Sequence, residues 1–289
     1  MNNKLMKTKL IPLLTVCAVF WASAVQAQIA YDFNAGQADY NANFTSTAGG
    51  TFYQTGWQAT GGVSNGGSMN TNGTQQTGFY TAANAGQFTT NGDTKFVSMY
   101  FLAGTLTSNN FDGRASVGFG TDSTVNIGSG SFVSGTVATT ANDGTNGTNY
   151  ALRVNYRNGG GGANTVDANM GNLITNNEWY QLRLDLNYIG SNAYTATVNL
   201  FSWGADGVTG GGLVDTFGTG TLNASSGGNL STITNTNLFA GFMGADSNAG
   251  LRALQVDNFS ATVPEPSTYA LLASGLVALA FLRRRKKSV

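Results

Sequence analysis

The sequence predicts an all-β fold, a single antiparallel β-sandwich, and three observations lead to this prediction. Between Tyr180 and Tyr188, apolar side chains alternate with polar ones, which is the pattern of a strand with one buried face. The same alternation runs from Tyr194 to Leu200, after a short glycine-containing loop that is typical of a hairpin. The body carries no helical apolar stripe of useful length, and its many glycine- and asparagine-rich turns favour short strands.

The first 27 residues have the pattern of a secretory signal peptide. Three lysines precede an apolar run over residues 10–24, and Val25-Gln26-Ala27 places small residues where a signal peptidase cleaves. We therefore expect cleavage between Ala27 and Gln28, and an uncleaved membrane anchor is the alternative. The only cysteine, Cys17, lies in this segment, so the mature chain can form no disulfide.

The body, residues 28–262, is predicted to be one β-sandwich domain. Besides the two strands above, seven segments have strand character, namely residues 29–33, 96–106, 115–119, 150–156, 213–217, 238–243 and 254–263. Residues 61–78 and 120–149 are nearly free of large apolar side chains, and residues 157–164 contain four consecutive glycines. We expect these three stretches to be loops at the rim of the sandwich.

The order of these strands resembles the concanavalin A-like lectin and glucanase family. The resemblance rests on an N-terminal IAYDFN strand, on WYQLRLDL with its hairpin partner, on NLFAGFM and on a closing VDNFSATV strand. It implies a jelly roll in which the first and last strands lie side by side. An immunoglobulin-like sandwich is a poorer alternative, because the body is large for that fold and lacks its Cys…Trp…Cys pattern.

Charge and composition exclude several classes of function. The body holds six basic and thirteen acidic residues, a net charge of about −7, so it offers no basic patch for nucleic acid. The chain has no histidine, which excludes Ser-His-Asp catalysis and histidine-based zinc sites. The glucanases that the body resembles carry a Glu-x-Asp-x-Glu strand, whereas the only glutamates here are Glu178 and Glu265. We therefore predict that the protein is not an enzyme.

Two binding sites remain as hypotheses for the body. Asp143 and Asp246 lie in clusters of Asp and Asn oxygens of the kind that calcium prefers, although Asx-Gly turns give the same pattern without metal and no other cofactor is indicated. Trp57 and Trp203 are the candidates for an aromatic sugar platform, and packing in the core or at the rim is the alternative for both.

The C-terminal segment, residues 263–289, has three parts in a fixed order. A Val-Pro-Glu-Pro-Ser stretch comes first, and its two prolines favour an extended, helix-free backbone. Residues 268–282 are uncharged and mostly apolar, and as a helix they would span about 22 Å. A basic cluster follows, which the positive-inside rule would keep in the cytoplasm: Arg283, Arg284, Arg285, Lys286 and Lys287.

This segment resembles the PEP-CTERM sorting signal of Gram-negative bacteria. The resemblance implies that a membrane-embedded exosortase recognises the motif Pro264, Glu265 and Pro266 and removes the segment. It further implies passage through the inner membrane and delivery to the cell surface or the extracellular polysaccharide matrix. A plain single-pass membrane anchor is the alternative.

The sequence thus predicts a non-catalytic surface or matrix protein with an adhesive or structural β domain. Its expected partners are signal peptidase, an exosortase-like enzyme, the membrane before processing, and extracellular polysaccharide. A lectin-like carbohydrate-binding module, with or without calcium, is the second hypothesis, and a polysaccharide hydrolase is the third.

Overall fold

A computed structural model describes the body of the chain. The described residues are 28–46, 57–70, 77–103, 114–121, 131–139, 150–158, 164–171, 173–175, 177–222, 230–234, 236–245 and 255–262. The chain divides into two units, and all described residues belong to the unit Gln28–Pro264. The predicted signal peptide, cleavage site and C-terminal sorting segment lie outside the described residues, apart from Gln28.

Two antiparallel sheets make up this unit. The strands of the eight-stranded sheet are β1 Gln28–Tyr31, β3 Trp57–Gln58, β4 Ser68–Asn70, β6 Thr94–Leu102, β11 Trp179–Gly190, β12 Ala193–Ser202, β13 Gly212–Gly218 and β15 Gln255–Thr262. Their order in the sheet is β13-β12-β11-β6-β15-β4-β3, with β1 paired to β15.

The seven-stranded sheet packs against the first. Its strands are β2 Phe44–Ser46, β5 Thr77–Gly86, β7 Arg114–Gly120, β8 Phe132–Thr139, β9 Tyr150–Arg157, β10 Asn164–Gly171 and β14 Leu238–Ala245. Their order in the sheet is β10-β9-β8-β7-β14-β5-β2. Short helices are the remaining elements of the described part: α1 Gln37–Asn43, a 3₁₀ turn at Val63–Asn65, and α2 Ser231–Thr234.

The core lies between the inner faces of the two sheets. On β11, Leu182, Leu184 and Leu186 are fully buried, whereas the alternating polar residues are half-buried on the outer face. Burying such side chains contributes about 1.5–3 kcal/mol each, which explains why the period-two pattern determines which face turns inward. The hairpin between β11 and β12 closes through Ser191 and Asn192, both with positive φ, as a two-residue turn of this twist requires.

The structure confirms the predicted sandwich. All nine predicted strands are present, and β1 pairs with β15 from Gln28 opposite Thr262 to Tyr31 opposite Phe259. The first and last strands therefore lie side by side, as the jelly-roll resemblance implies.

The prediction of rim loops at residues 61–78 and 120–149 is wrong in part. The strands β4 and β8 lie wholly within these stretches, and β5 begins at Thr77. β8 lies between β7 and β9, where Val133 and Val137 are buried in the core. The sequence pattern that would predict β8 is weak, because Gly135 lies between the two valines of its inner face and interrupts the apolar alternation. Residues 159–163, which include the four consecutive glycines, lie outside the described residues.

Candidate functional site

The outer face of the eight-stranded sheet carries a row of bonded polar side chains. Arg183 donates from Nε to both carboxylate oxygens of Asp185, at 3.0 and 2.9 Å, and from Nη2 at 2.7 Å. Its guanidinium lies 4.4 Å above the ring of Phe96. Asn199 continues the row by donating to Asp185 at 3.3 Å, and Thr216 donates to Asn199 at 2.7 Å. Four neighbouring strands thus present a fixed, half-exposed surface of donors and acceptors.

A cavity of about 420 Å³ lies at one corner of this sheet, and we call it the corner cavity. Three separate segments form it: the loop between β3 and β4, the ends of β6 and β11, and the turn between β12 and β13. Its lining residues are Gly61, Gly62, Ser64, Asn65, Leu102, Asn177, Trp179, Ala205 and Asp206.

A buried carboxylate holds the first of these segments in place. Asp257 on β15 is 2% exposed and accepts hydrogen bonds from the backbone N–H groups of Val63 at 2.7 Å and Asn258 at 2.6 Å. Burial raises the pKa of this carboxyl to about 7, and the neighbouring Asp32 raises it further, whereas the two N–H bonds oppose the shift. On the far side of the loop, the Ser64 N–H donates to the Asp206 carbonyl at 3.2 Å.

The turn after β12 is fixed by its own aspartate. The Asp206 carboxylate accepts from the N–H groups of Val208 and Thr209, both at 2.9 Å, and from the Thr209 hydroxyl at 2.8 Å. These bonds, led by the Thr209 N–H, lower the pKa of Asp206 to about 2. The side chain is exposed, so a permanent negative charge lies at the edge of the corner cavity.

The two tryptophans predicted as sugar platforms lie on opposite faces of the eight-stranded sheet. Trp203 is half-buried beside Tyr100 on the outer face, with ring centroids 5.3 Å apart. Its buried Nε1 has no hydrogen-bond partner among the described residues. Trp57 pairs with the fully buried Met69, and its Nε1 donates to the Phe33 carbonyl at 2.7 Å, which holds the ring towards the core. The structure does not bring the two rings together.

Asp143 and Asp246, the predicted calcium ligands, lie outside the described residues, as do the sorting motif and the basic cluster. Among the residues that the structure describes, no group of three or more acidic, histidine or cysteine side chains is placed to hold a metal. In the same part of the chain, no helix is long and apolar enough to cross a membrane.

Sequence reasoning did not find Asn65, Asn177 or Asp206 as site residues. An Asp-Gly pair at 206–207 and an Asn-Gly pair at 65–66 do mark turns in the sequence. Nothing in the sequence indicates that turns more than a hundred residues apart meet at one corner, so only the tertiary structure reveals the cavity.

A second polar row crosses the outer face of the seven-stranded sheet. Ser116 and Thr136 share a hydrogen bond of 2.8 Å, Asn155 donates to Thr136 at 3.1 Å, and Thr165 donates to Asn155 at 2.9 Å. Ser116 and Thr136 are buried, so this row contributes mainly to the cohesion of four strands.

Comparison with known proteins gives one sequence match. Residues 262–286 match the PEP-CTERM protein-sorting motif, which confirms the predicted resemblance. This motif indicates an exported protein that is processed at the membrane by an exosortase-like enzyme. A comparison of the sequence with curated proteins finds no match.

Solved structures resemble the body in fold. Lectin II from Ulex europaeus superposes with a TM-score of 0.50 at 14% identity, covering 82% of this chain and 97% of the lectin. The lectin UEA-II complexed with galactose gives the same TM-score and identity, covering 82% and 98%. An endo-1,3-β-glucanase from Streptomyces sioyaensis is also similar, with a TM-score of 0.45 at 11% identity over 83% and 97%. At such identities the likeness to the two lectins shows the fold alone, a concanavalin A-like jelly roll, as predicted.

Proposed function

We propose that this chain is a non-catalytic protein of the cell surface or the extracellular polysaccharide matrix. The observation that carries the proposal is the sorting motif at residues 262–286. In this proposal the signal peptide directs export, the exosortase-like enzyme recognises Pro264, Glu265 and Pro266, and the β-sandwich remains outside the cell as an adhesive or structural domain.

The contacts and burial of four described carboxylates support a non-catalytic role. A glycosidase needs two carboxyl groups that flank the scissile bond and are free to donate or accept its protons. Asp185 is held by three contacts from Arg183, Asp206 is held by its own turn, and Asp257 is buried. Glu178 accepts a hydrogen bond from the Tyr180 hydroxyl at 3.2 Å. These carboxylates serve structural contacts.

The sorting proposal is tested by the mass of the C-terminal peptide, measured separately in membrane and extracellular fractions of native cells. We expect extracellular protein that ends near residues 264–267 and lacks the basic cluster. Full-length chains ending at Val289 in both fractions would show that the segment is a permanent anchor.

The two glutamates of the chain provide a matched pair of variants. Glu265→Gln removes the charge of the motif, so full-length protein is expected to accumulate in the membrane fraction. Glu178→Gln makes the same chemical change in the body and is expected to be processed normally. Equal processing of both variants would contradict recognition through Glu265.

Carbohydrate binding is a second candidate, favoured by the polar outer face of the eight-stranded sheet with Tyr100 and Trp203 at its end. Amide, hydroxyl and aromatic groups together are the usual means of binding sugars. Calorimetry with polysaccharide fractions, with and without calcium, tests this candidate together with the predicted role of Asp143 and Asp246. The absence of any saturable binding would reject it.

A further inference from the structure

We propose that the corner cavity binds one neutral sugar residue of a saccharide. This inference deepens the carbohydrate-binding candidate and rests on it, because it names the site and the ligand class. It depends on three features of the cavity: its size and apolar floor, the polar groups of its rim, and the sign of its charge.

The size and floor of the cavity suit a single ring. Its volume of about 420 Å³ is at the lower end of the range of about 300–1,000 Å³ for small-molecule sites. Trp179 and Leu102 provide the apolar surface, and Trp179 is 3% exposed, so only part of its indole reaches the cavity. Leu102 and the small exposed part of Trp179 give the C–H groups of a pyranose an apolar contact, while the sugar hydroxyls point outward.

The rim carries small neutral polar groups. Ser64, Asn65 and Asn177 line the opening and are exposed. Within the described part of the chain, the Ser64 hydroxyl and the Asn177 amide make no hydrogen bond with the protein. The side-chain oxygen of Asn65, Oδ1, accepts only a long hydrogen bond of 3.4 Å from the Gly61 N–H. Amides and hydroxyls that both donate and accept match the hydroxyl groups of a sugar.

Charge selects among saccharides. The lining contains no cationic side chain, and its one ionisable group is the carboxylate of Asp206. Three hydrogen bonds keep that group ionised, so it would repel a uronate or a phosphorylated sugar. A neutral hexose meets no such repulsion, and its hydroxyls can donate to the remaining lone pairs of the carboxylate.

Hydrogen bonds and close packing fix the walls of the corner cavity in the absence of a ligand. The loop at 61–65 is bonded to Asp257 on one side and to the Asp206 carbonyl on the other. Gly207 lies so close to Val63 and Trp179 that an added Cβ would lie 2.8 Å from Val63 Cγ2 and 3.1 Å from Trp179 Cγ. A site that is ordered in advance loses less entropy on binding.

The test is a titration of the mature domain with glucose, galactose, their β-linked disaccharides and glucuronate, followed by calorimetry and by backbone amide NMR shifts. We expect saturable binding of at least one neutral sugar, with shifts at Asn65 and Asn177. Binding of the matching uronate is expected to be about fivefold weaker at low salt, because the exposed carboxylate of Asp206 repels it, and the difference is expected to shrink as salt is added.

Three asparagines with nearly the same positive φ supply the variants. Asn65, Asn177 and Asn192 have φ of 60°, 59° and 60°, so each can become glycine without strain. Asn65→Gly and Asn177→Gly remove rim amides and are each expected to weaken binding about fivefold, the loss for one hydrogen bond. Asn192→Gly, in the hairpin turn at the other end of β11, is expected to leave binding unchanged.

A further variant blocks the cavity without altering the rim amides. Ala205 is exposed at the opening, and Ala205→Trp is expected to abolish binding. If Asn65→Gly, Asn177→Gly and Ala205→Trp all bind the sugar as the wild type does, the corner cavity is not the site, although carbohydrate binding elsewhere stands. If no neutral sugar binds the wild-type domain, both this inference and the carbohydrate-binding candidate fail, whereas the sorting proposal is unaffected.

Discussion

The buried carboxylate of Asp257 accepts a 2.7 Å hydrogen bond from the backbone N–H of Val63, although 194 positions separate the two residues in the sequence. The contact ties the last strand to the loop that forms one wall of the corner cavity. Gly62 permits this approach, because a Cβ there would lie 2.5 Å from Asp257 Oδ2 and closer still to the Gly67 carbonyl oxygen. One carboxylate thus joins the closing strand, the loop and the cavity.

The first prediction is that this carboxylate makes folding stability depend on pH. Burial raises the pKa of Asp257 from the ordinary 3.8 to about 7 in the folded state, so the folded state binds the proton more tightly than the unfolded chain. The contribution is therefore fully present below about pH 4 and is lost as the pH rises through 7. We expect the free energy of unfolding from urea titrations to fall over this range, by at most about 1.4 kcal/mol per pH unit.

Asp257→Asn is expected to reduce the dependence of the unfolding free energy on pH. Absolute stability is also expected to drop, because the N–H of Val63 or of Asn258 then faces the NH₂ group of the amide instead of an oxygen. The groups near Asp257 are Asp32, which adds to the upward shift, and Tyr100, whose own pKa is raised to about 12 by burial and by Asp257. Asp215→Asn, on the half-buried strand β13, makes the same chemical change outside this hydrogen-bond network and is the control. An unchanged slope in Asp257→Asn would contradict the assignment.

The second prediction contrasts the two half-buried tryptophans on the eight-stranded sheet. Trp57→Phe removes the 2.7 Å bond to the Phe33 carbonyl and is expected to cost about 1 kcal/mol for the hydrogen bond, in addition to any loss of packing. Trp203→Phe removes an indole N–H that has no partner among the described residues, so only packing is lost and the cost is expected to be about 1 kcal/mol smaller than for Trp57→Phe. Urea denaturation of both variants measures the difference, and equal losses would contradict this account.

The sequence predicted the strands whose inner faces carry unbroken apolar alternation. β11 and β12 are the clearest cases, because Leu182, Leu184 and Val198 are large, apolar and fully buried. β8 was missed because its inner face reads Val-x-Gly-x-Val. A glycine has no apolar side chain, so the sequence around it does not indicate that this position of the strand is buried. Its place depends on the partner sheet, where Val198 and Leu184 fill the space above Gly135.

The sorting motif was predictable from the sequence, whereas the corner cavity was not. The sorting motif is contiguous, so residue order alone identifies it. The cavity needs Asn65, Asn177 and Asp206 to meet at one corner, and that meeting depends on strand order in the sheet. The sequence also placed Trp57 and Trp203 in one class of site, but pairing with Met69 turns Trp57 inward.

The third prediction concerns the fit between the two sheets at Gly135. An added Cβ there would lie 2.9 Å from Val198 Cγ2 and 3.2 Å from Leu184 Cβ. Gly135→Ala is therefore expected to overpack the core and destabilise the domain by about 1–3 kcal/mol in urea titrations. Gly220→Ala, where an added Cβ meets no atom within 4 Å, is the control and should change stability by less than about 0.5 kcal/mol.

A double variant tests whether Val198 causes this cost, because Val198 Cγ2 is the atom nearest to the added Cβ. In a Val198→Ala background the cost of Gly135→Ala should shrink, with a coupling of about 0.5–3 kcal/mol between the two changes. Strict additivity of the two changes would mean that the sheets do not meet at this point.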